Sequence, residues 1–229
     1  MVVHTPNGVA SELKNFILGG QDGVVNVFGL VVGVAAGTND TKAVLIAGLA
    51  CAAAESISMA AVAYTSTKAA KRYYDSERER EVRFIRDEPE VERREVREIY
   101  AKKGFKGQLL DKIVMHITKD RKLWADTMMS DELALSKTGV ERPWKSALIV
   151  GLAAIVGSLI PVLPFFFLAP MVAIPYVAVV CTLVLFAAGA LEAKMTVGKW
   201  WKNGLEIAIV GMVAALAGYL IGWWLGVTL

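Results

Sequence analysis

Five stretches of the chain are apolar over about 20 residues, the length a helix needs to cross the hydrocarbon core of a bilayer. They cover 16–37, 43–64, 144–162, 171–191 and 205–227. The pattern changes between the second and the third. Ser76 to Tyr100 reads SEREREVRFIRDEPEVERREVREIY, with eight glutamates and seven arginines. No proline interrupts Ala43 to Arg86, so the second span is expected to run on into this charged stretch as one long helix. Pro89 disfavours helix at the residue before it. Asp87 and Glu90, three apart, read as the cap and capping-box partner of a new helix ending near Lys103, before Gly104. A further helix is expected from Lys106 to Ser136, with Leu110, Ile113, Val114, Ile117 and Met128 as its apolar positions. Residues 1–15 read as a short polar lead, with His4 as an exposed tail histidine. Pro161 and Pro164 are expected to end or kink the third span. Glu192 to Asn203 reads as a polar connection, its lysines beside Trp200 and Trp201 as at a membrane interface.

The expected fold is therefore all-α: a polytopic membrane protein with five transmembrane helices and a three-helix insert between the second and third. The parts are 1–66, with the first two spans, 67–142, the charged helical domain, and 143–229, with the last three spans. Charge follows the same division. Residues 65–146 hold 20 of the 25 Lys and Arg and 16 of the 22 Asp and Glu. The excess of basic residues places that insert, the N-terminus with Lys14, and Lys194, Lys199 and Lys202 in the cytoplasm, and the C-terminus outside. A net charge of +3 gives no reason to expect a nucleic-acid partner. Cys51 and Cys181 lie in apolar runs and read as reduced core residues. The first fifteen residues hold Pro6, Gly8, Glu12 and Lys14 and lack the early apolar core of a cleavable signal peptide. With that short lead, a prokaryotic cell membrane is favoured over a vacuolar one. No nucleophile–base pair or phosphate-binding glycine loop is present, so no enzyme is expected.

Candidate chemistry lies where acids meet apolar surroundings. Asp22 and Asn26 stand four apart on one face of the first span, and Gly29, Gly33 and Gly37 form a small-residue ridge that lets helices approach closely in lipid. Glu55 lies near the middle of the second span with Met59 one turn on. A carboxylate at that depth costs a few kcal/mol unless it meets a partner or a wet pathway (about 2.5–3.5 kcal/mol on insertion scales). It therefore reads as a cation or proton site, with a structural hydrogen bond as the other reading. In the insert, Glu77 and Glu81 share one helix face, Glu88 stands at a turn, and Glu92 and Glu95 share the next face. Asp126, Met128, Met129 and Glu132 follow on the last helix. Packed together, these acids and thioethers would suit a divalent cation, the sulfurs favouring a transition metal. Glutamate and arginine three or four apart also stabilise exposed helices that bind nothing.

At this point the residues resemble the vacuolar iron transporter (VIT) family. The resemblance rests on GGQDGVVNVFGLVVGVAAG at 19–37, ESISMAAVAYTS at 55–66, the glutamate-rich helices of 77–98 and WADTMMSDEL at 124–133. It covers nearly the whole chain in the same order. It implies a homodimer through the first transmembrane helix and a cytoplasmic metal-binding domain. It further implies export of ferrous iron, and often manganese, in exchange for protons; zinc is a possible further ligand. By motif, Asp22 and Met59 are implied to line the pathway, with Glu55 where the family often has an acid. Glu81, Glu92, Glu95, Met128, Met129 and Glu132 are implied as metal ligands. The chain departs from the family pattern twice. Val62-Ala63-Tyr64 stands where many relatives have Gly-Glu-Tyr, and Phe84 stands where another acidic ligand is expected, a place Glu77 or Glu88 would have to fill. A membrane-anchored, ferritin-like metal store or sensor is the alternative. Against it stand the lack of a Glu-x-x-His pair in the insert and the placing of Glu55 in mid-membrane.

Overall fold

Each apolar stretch forms a helix, and most of these helices begin earlier or end later than the apolar pattern does. The computed structural model describes residues 7–135, 142–195 and 198–228. His4 and Ser136 lie outside the described residues. Helix α1 covers Asn7–Thr38, α2 Thr41–Asp87, α6 Pro143–Val162, α7 Pro170–Met195 and α8 Trp200–Thr228. Each of the five holds a segment long and apolar enough to cross a membrane. Helices α3 to α5 lie between α2 and α6: Pro89–Lys102, Gly107–Lys119 and Arg121–Thr127. The chain divides into two compact units, Met1–Thr65 with Pro143–Leu229, and Ser66–Arg142.

In the first unit, α1 begins nine residues before the apolar run. Its first turns are polar yet tied to the start of α6. Lys145 forms an ion pair with Glu12, and Asn15 Nδ2 donates to Ser146 Oγ at 3.0 Å. Apolar periodicity is blind to such polar anchoring. The core joins Val24, Val27, Phe28 and Val31 of α1 to Val44 of α2, Val162 of α6 and Leu185 of α7. Helix α6 ends at Val162, and Leu163–Phe166 form one 3₁₀ turn, so Pro161 sits inside the helix's last turn and Pro164 just beyond it.

Two glycine seams hold α1. On one side Gly29, Gly33 and Gly37 face Gly218, Gly222 and Gly226 of α8. A Cβ on Gly218 would strike the Gly29 carbonyl oxygen, and one on Gly222 that of Gly33. The α1 ridge thus finds its complement within the same chain. On the other side, a Cβ on Gly23 would come within 2.6 Å of the Ala154 oxygen and 2.7 Å of Ser158 Oγ of α6. With no hydrophobic force between helices in lipid, such close backbone packing is a main source of association.

In the second unit the expected cap is not formed. Helix α2 runs through Asp87, whose carboxylate accepts from Arg86 Nε at 2.7 Å. Glu88 occupies the cap position of α3 with no side-chain capping bond, and Pro89 starts the helix. Gly104 follows α3 with φ +97, a left-handed conformation that suits glycine at a helix end. The single helix expected over 106–136 is two helices and a wider turn, so the insert is not three simple helices. The chain breaks at Asp120, which is extended (φ −108, ψ 112). Its carboxylate accepts from the amides of Lys122 at 2.8 Å and Leu123 at 3.3 Å, capping α5. Met128–Glu132 then form a π-helical turn. Ile85, Val96, Leu110, Val114, Ile117, Trp124, Ala125 and Met128 make the core of this unit. Asp120→Ala is expected to destabilise it by about 1 kcal/mol, the usual worth of an N-cap. Hydrogen exchange at the Lys122 and Leu123 amides in the full chain checks this; unchanged protection would refute it.

Candidate functional site

Within the apolar spans, two helices bring polar groups to Glu55 of α2. Asn26 Nδ2 of α1 donates to Glu55 Oε1 at 2.7 Å, and Ser158 Oγ of α6 donates to Oε2 at 3.3 Å. Asp22, one turn before Asn26, lies close enough to Glu55 for the two carboxylates to interact electrostatically. Gly23 opens the space: a side chain there would displace Ser158. Asp22, Glu55 and Met59 are each half-buried, Asn26 is exposed and Ser158 is buried. Asp22 and Glu55 are thus together, with Met59 one turn farther along α2. Asn26 was legible as a neighbour of Asp22 on one helix face. Ser158 carried no signal in the sequence, because its role needs α6 to pack on Gly23.

The second unit holds the other cluster. Glu77, Glu81 and Glu92 are buried, the last two with only 4% of their surface exposed. Buried glutamates are normally paired. Glu77 is, accepting from Arg80 at 2.5 Å. Glu92 Oε2 is buried without a hydrogen-bond partner, an arrangement that costs about 1–3 kcal/mol or more when no cation compensates it. Burial raises the Glu81 carboxyl above its ordinary value, as does the charge of Glu132. Glu132 is raised by partial burial and then by Glu95. Glu92 is pushed up to about 7, first by burial, then by Glu95, Glu81, Glu132 and Glu88. Glu81, Glu92, Glu95 and Glu132 therefore share one electrostatic neighbourhood, with Glu88 exposed at its edge. Phe84 is exposed, so it supplies neither a ligand nor core packing.

Met128 and Met129 are fully buried on the π turn. Its wide ring is closed by the Leu133 amide donating to the Met128 carbonyl at 3.2 Å. Lys103 Nζ pairs with Asp131 at 2.7 Å, fastening the turn to the end of α3. Among the described residues, no three His, Cys, Asp or Glu side chains are drawn together tightly enough to hold a metal ion. The glutamates stand near one another as mutually repelling groups. A cation at the orphaned Glu92 oxygen would offset the cost of its burial.

The raised Glu92 value has a consequence without metal. Unfolded glutamate titrates at about 4.3, so between there and about 7 the unfolded chain has lost a proton that the folded chain keeps. The folded state then binds more protons, and stability falls as pH rises through that window. Glu92→Gln is expected to flatten the fall; thermal unfolding of the metal-free full chain from about pH 5 to 7.5 measures it. An unaltered slope would mean that other groups set it.

The chain is 32% identical over 209 residues to vacuolar iron transporter 1 of Tulipa gesneriana, covering 90% of this chain and 84% of that one. It is 31% identical to vacuolar iron transporter 1 of Arabidopsis thaliana, over 91% of this chain and 84% of the relative. Protein CCC1 of Saccharomyces cerevisiae is 26% identical, over 90% of this chain and 67% of its own length. The family model of the VIT family matches residues 13–223, from the first turns of α1 to the last of α8 and across both clusters, and the chain belongs to that family.

Proposed function

We propose that the protein carries ferrous iron, and manganese with it, out of the cytoplasm in exchange for protons. The observation that carries this is the meeting of Asp22, Asn26, Glu55 and Ser158 from three helices inside apolar spans. A carboxylate pair at that depth has no structural need that an apolar contact would not serve better. Two carboxylates balance one divalent cation, and protons replace it when it leaves. The names of the tulip and Arabidopsis relatives support iron as the substrate.

In this reading the unit of 66–142 faces the cytoplasm and collects the metal through Glu81, Glu92, Glu95, Glu132, Met128 and Met129. Metal then passes to Asp22, Glu55 and Met59. Two copies form a homodimer through α1. The exposed Asn26, in a span otherwise made for lipid, favours a wet or subunit-facing surface there. The basic residues on the N-terminal side of α1 and between α7 and α8 favour the same cytoplasmic orientation. The relatives' names speak of vacuoles, so they lend no weight to a cell membrane.

The test is ferrous iron uptake into proteoliposomes with an interior pH dye under an imposed proton gradient. Iron entry coupled to opposite proton movement is the expected result, with manganese and zinc ranked in the same assay. Iron binding without movement of iron or protons would overturn transport in favour of a membrane-anchored store or sensor.

A further inference from the structure

We propose that Asn26 is the positioning residue of the membrane carboxylate pair: it pins one oxygen of Glu55 so that the other serves the cation, and its lack of charge lets the cation leave. The inference rests on the transport reading above. The Asn26 bond to Glu55 Oε1 is the short one at 2.7 Å; the Ser158 bond to Oε2 is 3.3 Å. Oε1 is therefore the better-held oxygen and Oε2 the freer one. An amide that donates through Nδ2 keeps its carbonyl oxygen as an uncharged donor, the hard type a divalent cation takes. Asn26 also lines a groove of about 730 Å³ formed by α1 and α8, apart from Asp22 and Glu55.

Charge decides why an amide serves better than an acid. Asp22 and Glu55 supply at most two negative charges, enough for one divalent ion. A third carboxylate at position 26, on the same face as Asp22, would leave a net negative charge around the bound ion and hold it more tightly. A residue serving only as hydrogen-bond glue between α1 and α2 would show no such dependence on charge.

The experiment measures initial iron uptake against concentration for the full chain in proteoliposomes. Asn26→Ala is expected to raise KM about tenfold with little change in kcat, since a lost bond to a charged group weakens binding of the cation. Asn26→Asp loses the same donor but sets a third negative charge beside the ion; that charge is expected to outweigh the lost bond, lowering KM and lowering kcat about tenfold through slow release. Glue alone would lower the active fraction in both variants and leave KM unchanged, and that outcome overturns the inference. If Asn26→Ala fails to assemble, Asn26→Asp, nearly identical in shape, decides through the same two constants. Vesicles of the unaltered chain that carry no iron overturn the transport reading and this inference with it. A working unaltered chain with unmoved KM in the variants overturns the inference alone.

Discussion

Asp22→Ala is expected to stop iron transport while the full chain still binds metal at its charged unit. Asp22 lies near Glu55 inside the apolar spans, and Asn26 and Ser158 complete the surroundings of that carboxylate. Removing one of the two carboxylates takes away half of the charge that balances the divalent ion; a loss of about 3 kcal/mol of charge-assisted binding is on the order of 100-fold in rate. Asp22→Asn, which keeps the shape and loses the charge, is expected to be nearly as inactive. The second cluster is built from other residues, so calorimetric titration with a divalent metal is expected to show its binding intact. Transport surviving in either variant would remove Asp22 from the pathway. Loss of metal binding along with transport would point to a folding defect instead.

Gly222→Ala is expected to destabilise the protein by about 1–3 kcal/mol, against the ordinary trend. In most helices the same change stabilises by about 1 kcal/mol, because glycine is the poorer helix former. Here the new Cβ would meet the Gly33 carbonyl oxygen of α1, and backbone has no rotamer by which to yield. One of the two helices must shift, and the seam built on Gly29, Gly33 and Gly37 opens. Ala217, exposed on the same helix, provides the control: Ala217→Val is expected to change the thermal midpoint little. A rise in midpoint for Gly222→Ala would show that the seam is looser than its glycines imply.

The helices were legible wherever one physical rule acted alone. Apolar length located all five long helices, and the absence of proline kept α2 whole to Asp87. The rest turned on partners far away in sequence. Asp87 had the spacing of a cap, but Arg86 beside it takes the carboxylate. Asp120 had the chemistry of a cap yet sat inside an amphipathic pattern that ran past it without glycine or proline. The π turn at Met128–Glu132 leaves no trace in a 3.6-residue period, because one wide turn merely shifts the phase. For the sites, residue type and spacing picked out Asp22, Glu55 and the acids of the charged unit. They could not pair Asn26 with Glu55, nor bring in Ser158, 103 positions from Glu55. The glycine ridge of α1 was readable as a contact face, and Gly218, Gly222 and Gly226 repeat its spacing in α8, but that the two ridges meet each other was not readable.

That partnership joins the first long helix of the chain to the last, and this sets a schedule for biogenesis. When α1 enters the membrane, the strip it needs on α8 has not yet been translated. At roughly 5–20 residues per second, the ribosome takes on the order of 10–40 s to deliver it. During that interval the bare strip of α1 faces lipid or an insertion chaperone. A nascent chain cut short before α8 would keep Asn26, Asp22 and Glu55 without the seam that seats their helix, and quality-control proteases would meet it as an orphan.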